Sequence, residues 1–136
     1  MSGPIPEPAS GARRLLNALR YSCSGFRHAV RHQAALRQEL VLLAVLTPVS
    51  LVLRISPLEK LALVLSLLLV ILVEFLNTAI EAAVDRISTE RHPLAGLAKD
   101  LGSAAVLVSL VMAAAAWAVI AGPPLFRSIQ SGLRGP

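Results

Sequence analysis

Leu61-Ala-Leu-Val-Leu-Ser-Leu-Leu-Leu-Val-Ile-Leu-Val-Glu74-Phe-Leu-Asn77-Thr-Ala-Ile-Glu81-Ala-Ala-Val-Asp85 is the stretch that decides the fold. Residues 61–73 hold no charge, and Ser66 is their one polar side chain. A helix crosses about 30 Å of hydrocarbon with about 20 mostly apolar residues. Ser56-Pro57 supplies a start signal just upstream, so the pattern predicts a membrane helix over residues 57–88. Its last third is unusual. Glu74, Asn77, Glu81 and Asp85 recur at helical spacing within an arc of about 80°, one polar stripe on an otherwise apolar rod. Placing a carboxylate at mid-bilayer costs about 2.5–3.5 kcal/mol even on lenient scales.

Working outward, two further spans appear. Residues 34–53 contain a charge-free part from Leu40 to Leu53, with Pro48 inside it. A membrane helix tolerates such a proline with a kink. Residues 100–122 form the third span, opened by Lys99-Asp100 and stopped by Gly122-Pro123-Pro124. Before the first span, Leu15, Leu19, Cys23, Phe26 and Val30 share one helical arc, with Arg13, Arg20, Arg27 and Arg31 grouped beside it. That predicts an amphipathic helix over residues 11–32, suited to an anionic membrane surface. A solvated basic helix is the alternative. Residues 1–10 and 123–136 are Pro-, Gly- and Ser-rich, and the expectation is two irregular, disordered tails.

Composition agrees. The chain has 136 residues, 55% hydrophobic and 15% charged, with mean hydropathy +0.69. Soluble domains carry about 25% charged residues, so a soluble enzyme or a disordered chain fits poorly. The single cysteine, Cys23, excludes an internal disulfide and a cysteine-based zinc site. Nine of the thirteen Lys and Arg flank the first and third of the four extramembrane segments, which places the N-terminus and the 86–99 loop in the cytoplasm. The basic residues border apolar spans, so no nucleic-acid partner is expected despite a pI near 10.7. His28, His32 and His92 read as surface residues. P-loop, GxGxxG and HExxH motifs are missing, so nucleotide chemistry would need a site of another design.

Depth gives the stripe a meaning. With Glu59 and Lys60 at the far surface, about 20 residues at 1.5 Å each bring the helix out near Ala79. Glu74 then lies about 7 Å below the surface, at lipid ester level, Glu81 lies just above it, and Asp85 is in water. One helix face thus joins a lipid level to an aqueous level. The bland alternative is interhelical glue, with these groups paired to a neighbouring helix. Three short spans cannot enclose the stripe alone, so burial against further copies is expected. Small residues of the third span, Gly102, Ser103, Ala104 and Ala105 among them, allow close packing. Lys99 and Asp100, within reach of Glu81 in a hairpin, would suit a phosphate and its divalent metal. Alternatively, Asp100 merely starts the helix and Lys99 snorkels.

The segment Glu74-Phe-Leu-Asn77-Thr-Ala-Ile-Glu81-Ala-Ala-Val-Asp85-Arg86, followed by Ala98-Lys99-Asp100-Leu-Gly-Ser103-Ala-Ala-Val, closely resembles the small integral-membrane bacterial diacylglycerol kinases. Arg14, Tyr21-Ser22, Gly25, Arg27 and Ala34-Ala35-Leu36-Arg37-Gln38-Glu39 fit the same pattern, so the resemblance spans residues 11–121. It implies an all-α membrane protein, a homotrimer of three-span subunits with a surface helix each and active sites shared between neighbours. It implies transfer of the γ-phosphoryl of MgATP to a lipid hydroxyl in the bacterial inner membrane. By this resemblance Glu74 is the general base, with Asn77 beside it, and Glu81 and Gln33 hold Mg²⁺. Arg14, Tyr21, Gln33, Glu81, Glu90, Arg91, His92, Lys99 and Asp100 contact ATP. Glu74, Ser103, Ala35, Leu36, Arg37, Gln38 and Glu39 surround the lipid. One departure stands out: the family usually has a glutamate where this chain has Gln33. The lipid would be diacylglycerol or, in some relatives, undecaprenol. From another class, intramembrane carboxylates also mark proton- or ion-coupled transporters, although inverted repeats and broken helices are missing.

Overall fold

The computed structural model describes residues 11–87 and 92–133, with side chains described as far as Gln130. Among the described residues the secondary structure is wholly helical: α1 (Gly11–His32), α2 (Ala34–Val52), α3 (Pro57–Ile87), α4 (Pro93–Ile120) and α5 (Gly122–Leu133). The expected N-terminal tail, residues 1–10, lies outside the described residues, as do Glu90 and Arg91.

Helix α1 forms a unit by itself, separate from the unit that begins at Gln33. It is amphipathic as its spacing requires, with Leu15, Leu19 and Phe26 exposed on one side. His28 and His32, one turn apart, bring their rings to 4.4 Å. That contact uses them against each other, and no metal-holding cluster of His, Cys, Asp or Glu occurs among the described residues.

In the second unit α2, α3 and α4 are each long and apolar enough to cross a bilayer. A third of α3's apolar window is buried within the chain, against 17% for α2 and 11% for α4, so α3 is the central helix. The large apolar side chains left exposed on α2 and α4 are what lipid, or another copy, requires. Three serine hydroxyls inside the spans bond back to their own helix, Ser50 Oγ donating to the Thr47 carbonyl, Ser66 Oγ to Leu63 and Ser109 Oγ to Val106, each at 2.7 Å, while Thr47 Oγ1 is buried with no hydrogen-bond partner. No water is needed to satisfy the serines. Helix α2 runs on through Pro48.

The α2–α3 turn is closed by a reciprocal capping box. The Glu59 amide donates to Ser56 Oγ at 3.3 Å, and the Ser56 amide donates to Glu59 Oε2 at 2.7 Å. Lys60 Nζ donates to the Leu51 carbonyl at 2.7 Å, satisfying one of the orphan acceptors at the end of α2. Glu59 and Lys60 therefore do more than mark the membrane surface.

Two boundaries differ from the sequence expectation. Helix α4 begins at Pro93, about two turns before Lys99-Asp100, because His92 is its N-cap and Pro93 fits the first helical position. Asp100 therefore lies inside the helix and does not start it. The expected irregular tail over 123–136 is instead helical to Leu133. Pro123 and Pro124 end α4 by withholding amide donors, but proline is tolerated in a first turn, so the same residues open α5. Leu125, Phe126 and Ile129 share one arc of that helix, with Arg127, Ser128 and Gln130 on the other.

Candidate active site

Exposure along the stripe follows the depth argument. Glu74 is 5% exposed and Asn77 8%, Glu81 is half-buried, and the Asp85 side chain is 66% exposed. Asn77 links the levels: its Nδ2 donates to Glu81 Oε1 at 3.2 Å, one turn on. The bond fixes one carboxylate oxygen of Glu81 and leaves the other for a ligand. Asn77 Oδ1 is buried with no hydrogen-bond partner. It points at α4, where a Cβ on Gly102 would stand 2.3 Å from it. Only glycine allows that approach, and the Cα–H of Gly102 occupies the direction instead, a weak donor at best. Gly102 thereby fixes the α3–α4 register at the level of Asn77.

That register explains Lys99. Placed near Ile80 in height, its long side chain extends outward to water and pairs with Asp85. Glu81, which the sequence placed within its reach, lies one turn deeper. With side chains 39% and 66% exposed, the Lys99–Asp85 pair is worth at most about 1 kcal/mol of stability. Its place beside the stripe is more informative than its strength.

Glu39 joins the row from α2. Its carboxylate lies close enough to Glu74 to repel it, and Glu74 in turn repels Glu81. Glu39 Oε2 is buried without a hydrogen-bond partner. Three carboxylates thus line one path from apolar interior to surface, and Lys99 pairs with Asp85 beyond its outer end. Sequence reading put Glu39 only in the lipid surroundings. Its i, i+3 relation to Leu36, which is fully buried, was the available signal for an inward face.

The other candidates divide. Ala35, Arg37 and Gln38 are exposed on α2, Ala35 one turn from Glu39 and the other two away from it. Ser103 and Asp100 are exposed on α4. Gln33 is the N-cap residue of α2 with extended backbone, and its side chain makes no capping bond. Arg14 and Tyr21, seven residues apart, share one exposed face of α1. His92 Nδ1 accepts the Leu94 amide at 3.2 Å, so its described role is capping α4.

Below Glu39 a cleft of about 330 Å³ opens between α2, α3 and α4. Leu42, Leu46, Leu67, Leu110 and Trp117 line it, and Glu39 is its one charged wall residue. Trp117 Nε1 is buried there without an acceptor.

The sequence matches a known family. A sequence model described as prokaryotic diacylglycerol kinase matches residues 20–121. The diacylglycerol kinase of Pseudomonas aeruginosa is 49% identical over 111 residues, covering 82% of this chain and 90% of that one. The diacylglycerol kinase of Escherichia coli K12 is 41% identical, covering 82% and 91%. That of Helicobacter pylori J99 is 38% identical over 113 residues, covering 83% and 88%. At such identity over nearly the whole helical part, the chain belongs to the prokaryotic diacylglycerol kinase family, a family of lipid kinases, carried here on three membrane-length helices.

Proposed function

We propose that this lipid kinase phosphorylates diacylglycerol with MgATP at the cytoplasmic face of the bacterial inner membrane, producing phosphatidate. The observation that carries the reading is that Glu74 is a buried carboxylate on the helix face where the Asn77–Glu81 hydrogen bond leads to a half-buried carboxylate; the length of the span would put the first at lipid ester level and the second at the surface. A hydroxyl brought to Glu74 meets a base, and a phosphate brought to Glu81 meets the polar end of the same helix face. In-line transfer needs those two levels to be adjacent. The basic residues flanking the stripe's end of the bundle support the cytoplasmic orientation.

Glu74 accepts the hydroxyl proton as the lipid oxygen bonds to the γ-phosphorus, and the bond from that phosphorus to the β,γ-bridging oxygen breaks to release ADP. Asn77 keeps Glu81 aimed outward. Lys99, held at Asp85, is a mobile point charge for the phosphates, and Asp100, Arg14, Tyr21 and the 90–92 loop complete the nucleotide contacts. The donors present are hard oxygens, one or two carboxylates and an amide, which is the set that binds Mg²⁺ together with substrate phosphates. Glu81 and Gln33 would hold that ion, which would supply charge neutralisation on the phosphate oxygens. The apolar cleft beneath Glu39 takes one acyl chain, selected by shape, since lipid already surrounds the chain on every side. Ser103, Ala35, Leu36, Arg37, Gln38 and Glu39 surround the remainder of the lipid. The subunit buries Glu74 and Asn77 by itself, contrary to the expectation that further copies are needed there, and leaves Glu81 half-buried and Asp85 exposed; that outer end is what a homotrimer with shared active sites would close.

The test is phosphorylation of dioleoylglycerol and undecaprenol in mixed micelles. Phosphatidate formation that depends on MgATP supports the reading. A product from undecaprenol alone would move the substrate to the isoprenoid alcohol, and product from neither lipid would remove the kinase assignment.

Two expectations follow at single residues. Gln33 offers an amide oxygen without charge, so Gln33→Glu should lower the Mg²⁺ concentration for half-maximal rate by about tenfold, the scale of a ligand-shell change. An unchanged Mg²⁺ titration would take Gln33 out of the metal site. Lys99→Met should raise the KM for ATP by about tenfold or more, from loss of a charge-assisted bond to phosphate, while the KM for lipid stays put. A matching rise in both constants would assign Lys99 to the fold.

A further inference from the structure

We infer that the cleft between the α2–α3 turn and α5, at the membrane face opposite the carboxylate stripe, binds the phosphate of an anionic phospholipid through Arg54 and Arg127. The connectivity sets its position. The end of α2, the start of α3 and the end of α4 lie at one end of the bundle, and the stripe is at the other. There a cleft of about 580 Å³ is lined by Val52, Leu53, Arg54, Pro124, Arg127 and Ser128. Two guanidinium groups face the same space, and neither is in an ion pair among the described residues. Like charges brought together without a counter-charge repel, so an anion of matching geometry is the natural complement. Guanidinium holds phosphate through paired parallel hydrogen bonds, which a lysine cannot do.

The seat is rigid. Leu53, Leu63 and Ala121 are buried together, with Ile55, Trp117 and Ile120 packed against them. That cluster holds the α2–α3 turn against the junction of α4 and α5. The Leu125 amide donates to the Ala121 carbonyl at 3.1 Å, so the start of α5 is tied to the same seat. Position selects a lipid over a free anion. The cleft lies where the apolar spans end, Val52 beside it is 78% exposed, and α5 presents exposed Phe126 and Ile129 on its apolar arc. A short helix with an apolar arc and a cationic one lies in the headgroup plane. Helix α5 lies beyond residues 20–121, which the family model matches, while Arg54 lies within them.

The inference is independent of the lipid that the kinase phosphorylates. Its test uses the full chain in nanodiscs of phosphatidylcholine with 30% phosphatidylglycerol, about the anionic content needed to saturate a surface site. Native mass spectrometry after release reads the lipid retained. The natural chain should keep phosphatidylglycerol over phosphatidylcholine. Arg54→Gln and Arg127→Gln should each cut that retention by about tenfold, the loss of one charge-assisted pair of bonds. Arg134→Gln removes one positive charge beyond α5 and outside the described lining of the cleft, and should leave it unchanged. An equal loss in Arg134→Gln would mean diffuse surface attraction and overturn the site. Displacement of the lipid by millimolar inorganic phosphate would make it a free-anion site, and retention indifferent to both arginines would remove it. A change of oligomer mass in Arg127→Gln, with lipid retention intact, would give the cleft to a second copy of the chain. Arg127→Lys separates folding from recognition: the charge and the helix remain, and retention should still fall.

Discussion

Glu74→Gln is expected to lower the rate of lipid phosphorylation by about 10²–10⁴-fold, the range that a positioned general base contributes. The substitution is chosen for what it preserves. Glutamine has the same length and can still donate and accept hydrogen bonds at the buried position. If Glu74 merely fastens α3 to a neighbouring helix, glutamine serves as well, and the rate should stay within about threefold of the natural chain. A neutral side chain of the same length also escapes the desolvation cost of a buried carboxylate, so the variant should be at least as heat-stable. Catalytic loss combined with undiminished stability is the signature of a reacting group. The KM for ATP should change little, because Glu74 sits a full turn and more below Glu81, at lipid depth. Mixed-micelle kinetics with each substrate varied in turn, alongside a thermal melt, decide it. Loss of activity with a collapsed melt would instead return Glu74 to structure.

How much of this was legible beforehand follows from the physics of each feature. The three spans and the amphipathic α1 were readable because apolar length and 3.6-residue spacing are properties of sequence alone. So was the stripe, since four polar residues on one arc of an apolar helix cost too much to be incidental. The capping box was also in plain view as Ser56-Pro-Leu-Glu59, three residues apart. Lys99 was read only as lying within reach of Glu81; its pairing with Asp85 depends on the α3–α4 register, to which the approach of Gly102 to Asn77 contributes. Nothing local in the sequence announces that contact; Gly102 read only as one small residue among several. Helix α5 was missed for the opposite reason. Gly122-Pro123-Pro124 is a stop signal for the helix before it and a start signal for the helix after it, and composition favoured the first. Glu39 needed the fold, because its position toward Glu74 is a relation between two helices. The choice between kinase and transporter was beyond the stripe by itself, since both chemistries use buried carboxylates. The relatives, matched along most of the chain, decide it.

Gly102→Ala is the second large effect expected, and it carries the argument from packing to catalysis. The added methyl would stand 2.3 Å from Asn77 Oδ1 and 3.8 Å from the Asn77 Cα. The second distance is ordinary contact, so the helices need not part; the first requires the Asn77 side chain to turn away. A turned Asn77 loses its bond to Glu81 Oε1, and Glu81 loses the constraint that aims it. Overpacking of this kind costs about 1–3 kcal/mol, but a misplaced group at a reacting centre can cost about 10²-fold in rate. Activity should therefore fall about 100-fold while the melting temperature shifts only modestly. A double-mutant cycle isolates the cause. In an Asn77→Ala background there is no oxygen to strike, so Gly102→Ala should be nearly neutral for stability and should lower the already reduced rate no further. Additive effects would mean that Gly102 and Asn77 act separately. The expected non-additivity would mean that one missing β-carbon on α4 holds a carboxylate of α3 in its working position.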